Sequence, residues 1–180
     1  MPATSTRPPG PPPAPGAVPF ATVAAMDRIA FVRHLGAVVE DAPWVAHEAW
    51  AAGPFADVGA LHAGMVSVMR RAAPERRLQL IRAHPDLAGS GALGPAAASE
   101  QRAAGLGALA GDELAQLREL NAAYRTRFGF PFVICAREHT AATILAAARE
   151  RVARDPATEE DAALTEIAKI ARLRLAELVT

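Results

Sequence analysis

From Ala24 onward the chain carries helical periodicity, but proline and glycine interrupt it at short intervals: at Pro43, Gly53-Pro54, Pro74, Pro85, a glycine-rich stretch over 89–95, Gly111, and Gly129 with Pro131. Proline inside a helix removes a backbone donor and clashes with the preceding turn, and it pushes the residue before it out of the helical region. A chain of 180 residues punctuated in this way is restricted to several short helices that bury one another, and its length suits one domain. Alanine supplies much of the 51% apolar fraction while aromatics make up only 5%, which suits close helix packing. The expected class is all-α: a single compact multi-helix domain over residues 23–180, preceded by a disordered Pro/Ala/Gly-rich tail over residues 1–22 with polyproline character.

The apolar positions predict the individual helices. Met26, Ile29, Ala30, Val32, Leu35 and Val38 mark a first one, ending before Asp41-Ala42-Pro43. Pro43 opens a second that carries Trp44 and Trp50, both expected as core anchors. Val58, Leu61, Met65, Val68 and Met69 form the stripe of a third, with His62 as a structural flank, and Pro74 starts a short helix reaching Ile81. Further helices are expected from about Ala97 to Leu109, and from an Asp112 cap through Leu114 and Leu117 to Phe128. A last one is capped by Thr158, with Leu164, Ile167, Ala168, Ala171, Leu175 and Leu178 inward and Arg174 at the edge of that face. The segment 128–136 is apolar yet broken by Gly129 and Pro131, so it is expected to be buried and irregular, with backbone groups in need of partners.

Composition excludes several function classes. Lysine plus arginine equals aspartate plus glutamate at 19 each, so no basic excess points to nucleic acid. No apolar run approaches the ~20 residues of a membrane span. The single cysteine, Cys135, excludes an intramolecular disulfide and cysteine-cluster metal sites, and fits a cytoplasmic protein. The five histidines, at 34, 47, 62, 84 and 139, show no metal-ligand spacing. A small-molecule partner and no metal are expected.

His84 is the residue best placed for chemistry. Pro85 disfavours a helical conformation at His84, which should therefore be extended, at a junction between helices, with Pro85 in the first turn of the next element. An imidazole titrates near neutrality and can give or take one proton in a cycle.

Five stretches in order, covering nearly everything after residue 25, resemble the OHCU (2-oxo-4-hydroxy-4-carboxy-5-ureidoimidazoline) decarboxylase family of urate breakdown. They are Ala42-Pro43-Trp44-Val45-Ala46, His84-Pro85-Asp86-Leu87-Ala88-Gly89, Ser99-Glu100-Gln101 with Ala104-Gly105-Leu106, Asn121-x-x-Tyr124 leading into Phe128–Cys135, and Glu166–Leu175. The resemblance implies an all-helical, usually dimeric fold and cofactor-free loss of carbon dioxide from OHCU to give (S)-allantoin. By the same resemblance His84 is the catalytic proton donor, and Glu100 and Arg174 are its charged companions. Pro85, Ala97, Ala98, Ser99, Glu100, Gln101, Phe132, Val133, Ile134, Cys135 and Ala136 then border the substrate. The chemistry agrees with this: the electrons left by carbon dioxide can enter an adjoining carbon–nitrogen double bond, so no cofactor is needed, and the protein has to protonate one face. A His84–Glu100 hydrogen bond, Gln101 reading the ureido edge and Arg174 offsetting negative charge are the expected arrangement. The chain departs from the family at Ala97, where serine is common, and in a shorter loop between Gly89 and Glu100. Two other readings of the residues are a non-catalytic helical interaction module and another cofactor-free lyase or hydrolase acting on a ureido ring.

Overall fold

The computed structural model describes residues 16–89, 93–109 and 111–180. Among them are nine α-helices: α1 (Phe20–Ala24), α2 (Arg28–Leu35), α3 (Pro43–Ala52), α4 (Val58–Arg71), α5 (Pro74–Arg82), α6 (Pro95–Ala103), α7 (Gly111–Phe128), α8 (Ala141–Arg151) and α9 (Pro156–Leu178). Single 3-10 turns occupy Leu106–Ala108 and Ala136–Glu138. No strand occurs among the described residues beyond one parallel bridge between Val18 and Val179. The all-α expectation therefore holds.

Prolines start helices, as their missing donor permits: α3, α5, α6 and α9 each have one in the first turn. Several boundaries differ from the periodicity, each because a side chain or a left-handed residue intervenes. Asp27 caps α2 by accepting from Ala30 N at 2.8 Å, so the expected first helix is divided and Val38 lies in the turn beyond it. The helix expected to reach Leu109 stops at Ala103, because Gly105 takes φ 78 and turns the chain. Asp112 lies inside the first turn of α7 instead of capping it. Asp155 caps α9 by accepting from Thr158 N at 2.9 Å, and Thr158 is already helical. Helix α8 is not among the expected helices, although Ile144, Leu145 and Ala148 keep helical spacing and Thr140 caps it by accepting from Thr143 N.

Helix α9 packs on α4 and α5, α4 on α3, α3 on α2, and α7 on α8. The buried positions of α9, Glu159, Ala163, Leu164, Ile167, Ile170, Ala171, Arg174 and Leu175, follow the helical repeat, so Arg174 lies within the stripe and not at its edge. Truncating a buried leucine such as Leu61 or Leu175, both fully enclosed, is expected to cost about 2–5 kcal/mol. Aromatic anchoring is the reverse of expectation. Trp50 is 38% exposed and Trp44 half-buried, the first donating to Met26 O and the second lying under the Arg76 guanidinium at 3.8 Å. Ile29 also faces outward. The buried aromatic cluster is Tyr124, Phe128, Phe130 and Phe132, with ring centroids 4.7–6.3 Å apart. These rings seat the irregular segment 128–136 in the core.

The tail expectation fails for residues 16–22. Val18 N donates to Leu178 O at 2.9 Å, Thr180 N to Val18 O at 2.9 Å and Phe20 N to Thr180 O at 2.7 Å, after which α1 begins. Backbone bonds to the end of the chain order this stretch, and composition is blind to them. Residues 1–15 and residues 90–92 of the glycine-rich loop lie outside the described residues.

Candidate active site

A cleft of about 390 Å³, including its mouth, is lined by Glu40, His84, Pro85, Leu87, Ala97, Glu100, Gln101, Phe132, Val133, Ile134, Ala136, Ile170 and Arg174. It gathers the α2–α3 turn, the end of α5, one face of α6, the irregular segment and the α9 stripe. Of the residues expected at the substrate, Ala98, Ser99 and Cys135 do not line it. Ala97, Glu100 and Gln101 share one face of α6, which leaves Ser99 on the exposed side and Ala98 half-buried. Cys135 is buried, and burial with nearby carboxylates pushes its thiol up to about 11.

His84 is 5% exposed. Its Nδ1 lies 3.0 Å from the Leu80 carbonyl. A carbonyl only accepts, so Nδ1 carries the hydrogen and Nε2 holds the lone pair. That Nε2 is buried without a partner. Burial lowers the imidazole from 6.5 to about 4; Arg174 adds to the shift, while the Leu80 carbonyl, Glu100 and Asp41 oppose it. The ring is thus neutral at physiological pH, with its free nitrogen able to accept a proton. No hydrogen bond joins His84 to Glu100, because the one ring N–H is spent on Leu80 O and Nε2 has only a lone pair to offer a carboxylate.

This shift has a consequence for stability. The unfolded imidazole protonates near 6.5 and the folded one near 4, so the unfolded state binds the extra proton between those values. Stability from this group is complete above about pH 6.5 and declines as pH falls to about 4, by up to roughly 3 kcal/mol. Urea titrations of wild type and His84→Asn at pH 7.5 and 4.5 should show the mutant losing less on acidification. Equal losses would mean that His84 is not buried neutral.

The turn after His84 is held by side chains and does not start a helix, contrary to expectation. Ala88 takes φ 50, its N donates to Gln101 Oε1 at 2.9 Å, and Gln101 Nε2 donates to Asp86 O at 3.3 Å. Asn121 Nδ2 donates to Leu87 O at 2.9 Å, and the Asp86 carboxylate pairs with Arg125 at 3.0 Å. Gln101, expected to read a ligand edge, lines the cleft and also clamps this turn with both ends of its amide.

Arg174 is the electrostatic centre. Its Nε and Nη2 donate to the two oxygens of Glu100 at 2.8 and 3.0 Å, and Nη1 donates to Glu40 Oε2 at 3.0 Å and to Val38 O at 3.4 Å. Burial disfavours the charge on Arg174, but the Glu100 and Glu40 carboxylates outweigh it and hold the guanidinium protonated. Two carboxylates facing one guanidinium and a neutral imidazole leave the cleft with an excess negative charge, so Arg174 has no charge to spare. Sequence reasoning missed Glu40, although it directly precedes the Asp41-Ala42-Pro43-Trp44 run.

The irregular wall is pinned from behind. Arg151 Nη1 donates to Val133 O at 3.0 Å and Cys135 N donates to Glu166 Oε2 at 2.8 Å. Arg151 lies 4.7 Å above the Phe132 ring and is paired with the fully buried Glu159 through Nε at 3.0 Å and through Nη2. Neighbouring side chains therefore satisfy these backbone groups. Among the described residues no cluster of three or more His, Cys, Asp or Glu is arranged to hold a metal, and no helix is long and apolar enough to cross a membrane.

Known proteins share this architecture. A protein from Haloferax volcanii, 2-oxo-4-hydroxy-4-carboxy-5-ureidoimidazoline decarboxylase, is 40% identical over 152 residues, covering 84% of this chain and 90% of that one. The crystal structure of an (S)-allantoin synthase superposes with a TM-score of 0.71 at 29% identity, over 89% of this chain and 54% of the synthase. That of an OHCU decarboxylase in the presence of (S)-allantoin superposes with a TM-score of 0.62 at 29% identity, over 74% of this chain and 89% of that one. The OHCU decarboxylase family model matches residues 24–176. With nearly the whole helical domain matched, and with a neutral buried histidine beside a carboxylate–arginine pair at its centre, the chain belongs to the OHCU decarboxylase family.

Proposed function

We propose that this protein decarboxylates OHCU to (S)-allantoin in urate breakdown, with His84 as the proton-transfer group. The observation that carries this reading is the unpartnered Nε2 of a neutral imidazole, fixed by Leu80, on a cleft whose other polar side chains are Glu40, Glu100, Gln101 and Arg174.

In the substrate, one ring carbon bears both the hydroxyl and the carboxylate, next to a carbon–nitrogen double bond. When carbon dioxide leaves, its bonding pair forms a carbon–carbon double bond, and the carbon–nitrogen pair moves onto nitrogen, which takes a proton from solvent. The resulting enol gives its hydroxyl proton to His84 Nε2 as the carbonyl forms. The imidazolium then returns that proton to the neighbouring carbon from its own side only, which sets the configuration. A base poised at about 4 holds such a proton briefly, which favours its transfer to carbon. The apolar wall of Phe132, Val133 and Ile134 limits water access during this step. The electron sink belongs to the substrate, so the reaction needs no metal or organic cofactor. A homodimer in the cytoplasm completes the reading; sedimentation tests the dimer.

The direct test is circular dichroism of the allantoin formed when urate oxidase and hydroxyisourate hydrolase generate OHCU in situ. Adding the protein should bring rapid appearance of the (S)-allantoin signal. Racemic product at the spontaneous rate, with the protein demonstrably folded, would overturn the assignment.

A further inference from the structure

The reaction proposed above brings a carboxylate into a cleft that already holds one carboxylate too many. Glu100 grips Arg174 through two hydrogen bonds from helix α6, and its side chain is 12% exposed. Glu40 is held differently. It lies on the turn between α2 and α3, its side chain is 19% exposed, and one hydrogen bond from Arg174 Nη1 retains it. Its other oxygen lies against Gly94, where a Cβ would stand 3.1 Å away. The next residue, Asp41, has φ 45, a conformation uncommon outside glycine and asparagine-like residues. The Glu40 carboxylate thus occupies an anion position made by a buried guanidinium beside the start of α6, within the same cleft as the unpartnered His84 Nε2.

We propose that Glu40 is an internal stand-in for the substrate carboxylate: it occupies the Nη1 edge of Arg174 in the free enzyme and leaves when an anionic substrate binds. The inference rests on the decarboxylase reading of the cleft. Exchange keeps the charge around Arg174 constant, whereas adding a third carboxylate beside Glu40 and Glu100 in a poorly solvated site would be strongly repulsive. Loss of carbon dioxide then removes the anion that displaced Glu40. The neutral product has nothing with which to hold Arg174 Nη1, so return of Glu40 favours its release. Glu40 acts through Arg174 and is a positioning residue.

The test is calorimetric binding of orotate, a flat ureide ring bearing a carboxylate, and of uracil, the same ring without it, to wild type and Glu40→Gln. The variant should bind orotate about tenfold more tightly than wild type while uracil changes by less than about twofold. KM for OHCU should fall in the same variant without a rise in kcat. A purely structural brace predicts the opposite, weaker orotate binding as Arg174 loosens. Unchanged or weakened orotate binding, an equal shift for both ligands, or no orotate binding to either protein would overturn the proposal. If Glu40→Gln does not fold, a crystal structure of wild type with orotate decides: Glu40 should be off Nη1, and Glu40 still on Arg174 with orotate bound refutes exchange. Failure of wild type to accelerate OHCU decay would count against the decarboxylase reading, while the orotate–uracil contrast would still report on Glu40.

Discussion

Asparagine at position 84 should lower kcat for OHCU by about 10²- to 10⁴-fold, the usual worth of a positioned general acid–base, and should make the remaining product racemic. The substitution separates chemistry from architecture. The asparagine amide can still donate to Leu80 O, as His84 Nδ1 does, so the end of α5 keeps its bond. What disappears is Nε2, the one nitrogen of the ring that no protein group occupies. Far-UV circular dichroism should therefore match wild type while the (S)-allantoin signal collapses. The acid limb supplies a second reading of the same atom. Because His84 protonates near 4, loss of the neutral base should depress wild-type turnover only as pH falls toward that value, with no decline from this group between pH 6 and 8. Wild-type rate and stereochemistry in His84→Asn would remove the imidazole from the mechanism and return attention to Glu100.

The largest stability effect is expected at Glu159. Its side chain is fully buried and that of Arg151 is 7% exposed, so Glu159→Ala strands a guanidinium inside the protein. Removing one partner of a buried pair typically costs about 3–5 kcal/mol, read here from urea unfolding. An exposed pair such as Arg70–Asp161, with side chains 40% and 65% exposed, should cost less than about 1 kcal/mol when broken. The buried pair also reaches the cleft, because Arg151 holds Val133 O and covers Phe132. Replacing both partners together, Arg151→Met with Glu159→Leu, should recover most of the stability, since no charge is left buried. The double variant still loses the anchor on Val133, so its KM for OHCU should stay raised while its melting temperature recovers. A Glu159→Ala protein within about 1 kcal/mol of wild type would mean that water reaches Arg151 and that the pair is not closed.

The helical class, the proline-started helices α3 and α5, and the placing of His84 between helices were all readable along the chain, whereas α6 was expected near Ala97 and starts at Pro95. Each depends on local causes: proline restricts its own φ and its predecessor, and a 3.6-residue repeat declares a buried face. The same local reasoning foresaw that 128–136 would be irregular and buried, as Phe130, Phe132 and Cys135 are. It failed where a distant group decides. Both tryptophans resembled core anchors, yet Trp44 lies under Arg76 and Trp50 bonds to Met26 O near the surface, while the buried rings are Tyr124 and its phenylalanine neighbours. Residues 16–22 looked like tail until Val18 found Leu178 and Thr180. The hold of the Gln101 amide on the 86–88 turn was likewise invisible along the chain.

The site divides in the same way. Periodicity could put Arg174 near the buried face, but an arginine there turns outward or inward according to its partners. Those partners, Glu100 and Glu40, lie 74 and 134 residues away in the chain. The tautomer of His84 likewise depends on a carbonyl that only the folded end of α5 presents to Nδ1. Local sequence therefore marked His84 and the irregular segment 128–136, while the arrival of Glu40 and the outward turn of Ser99 were set by the fold. Tertiary packing decided their ionisation and their partners, because desolvation and Coulomb interaction depend on distances that the chain order does not contain.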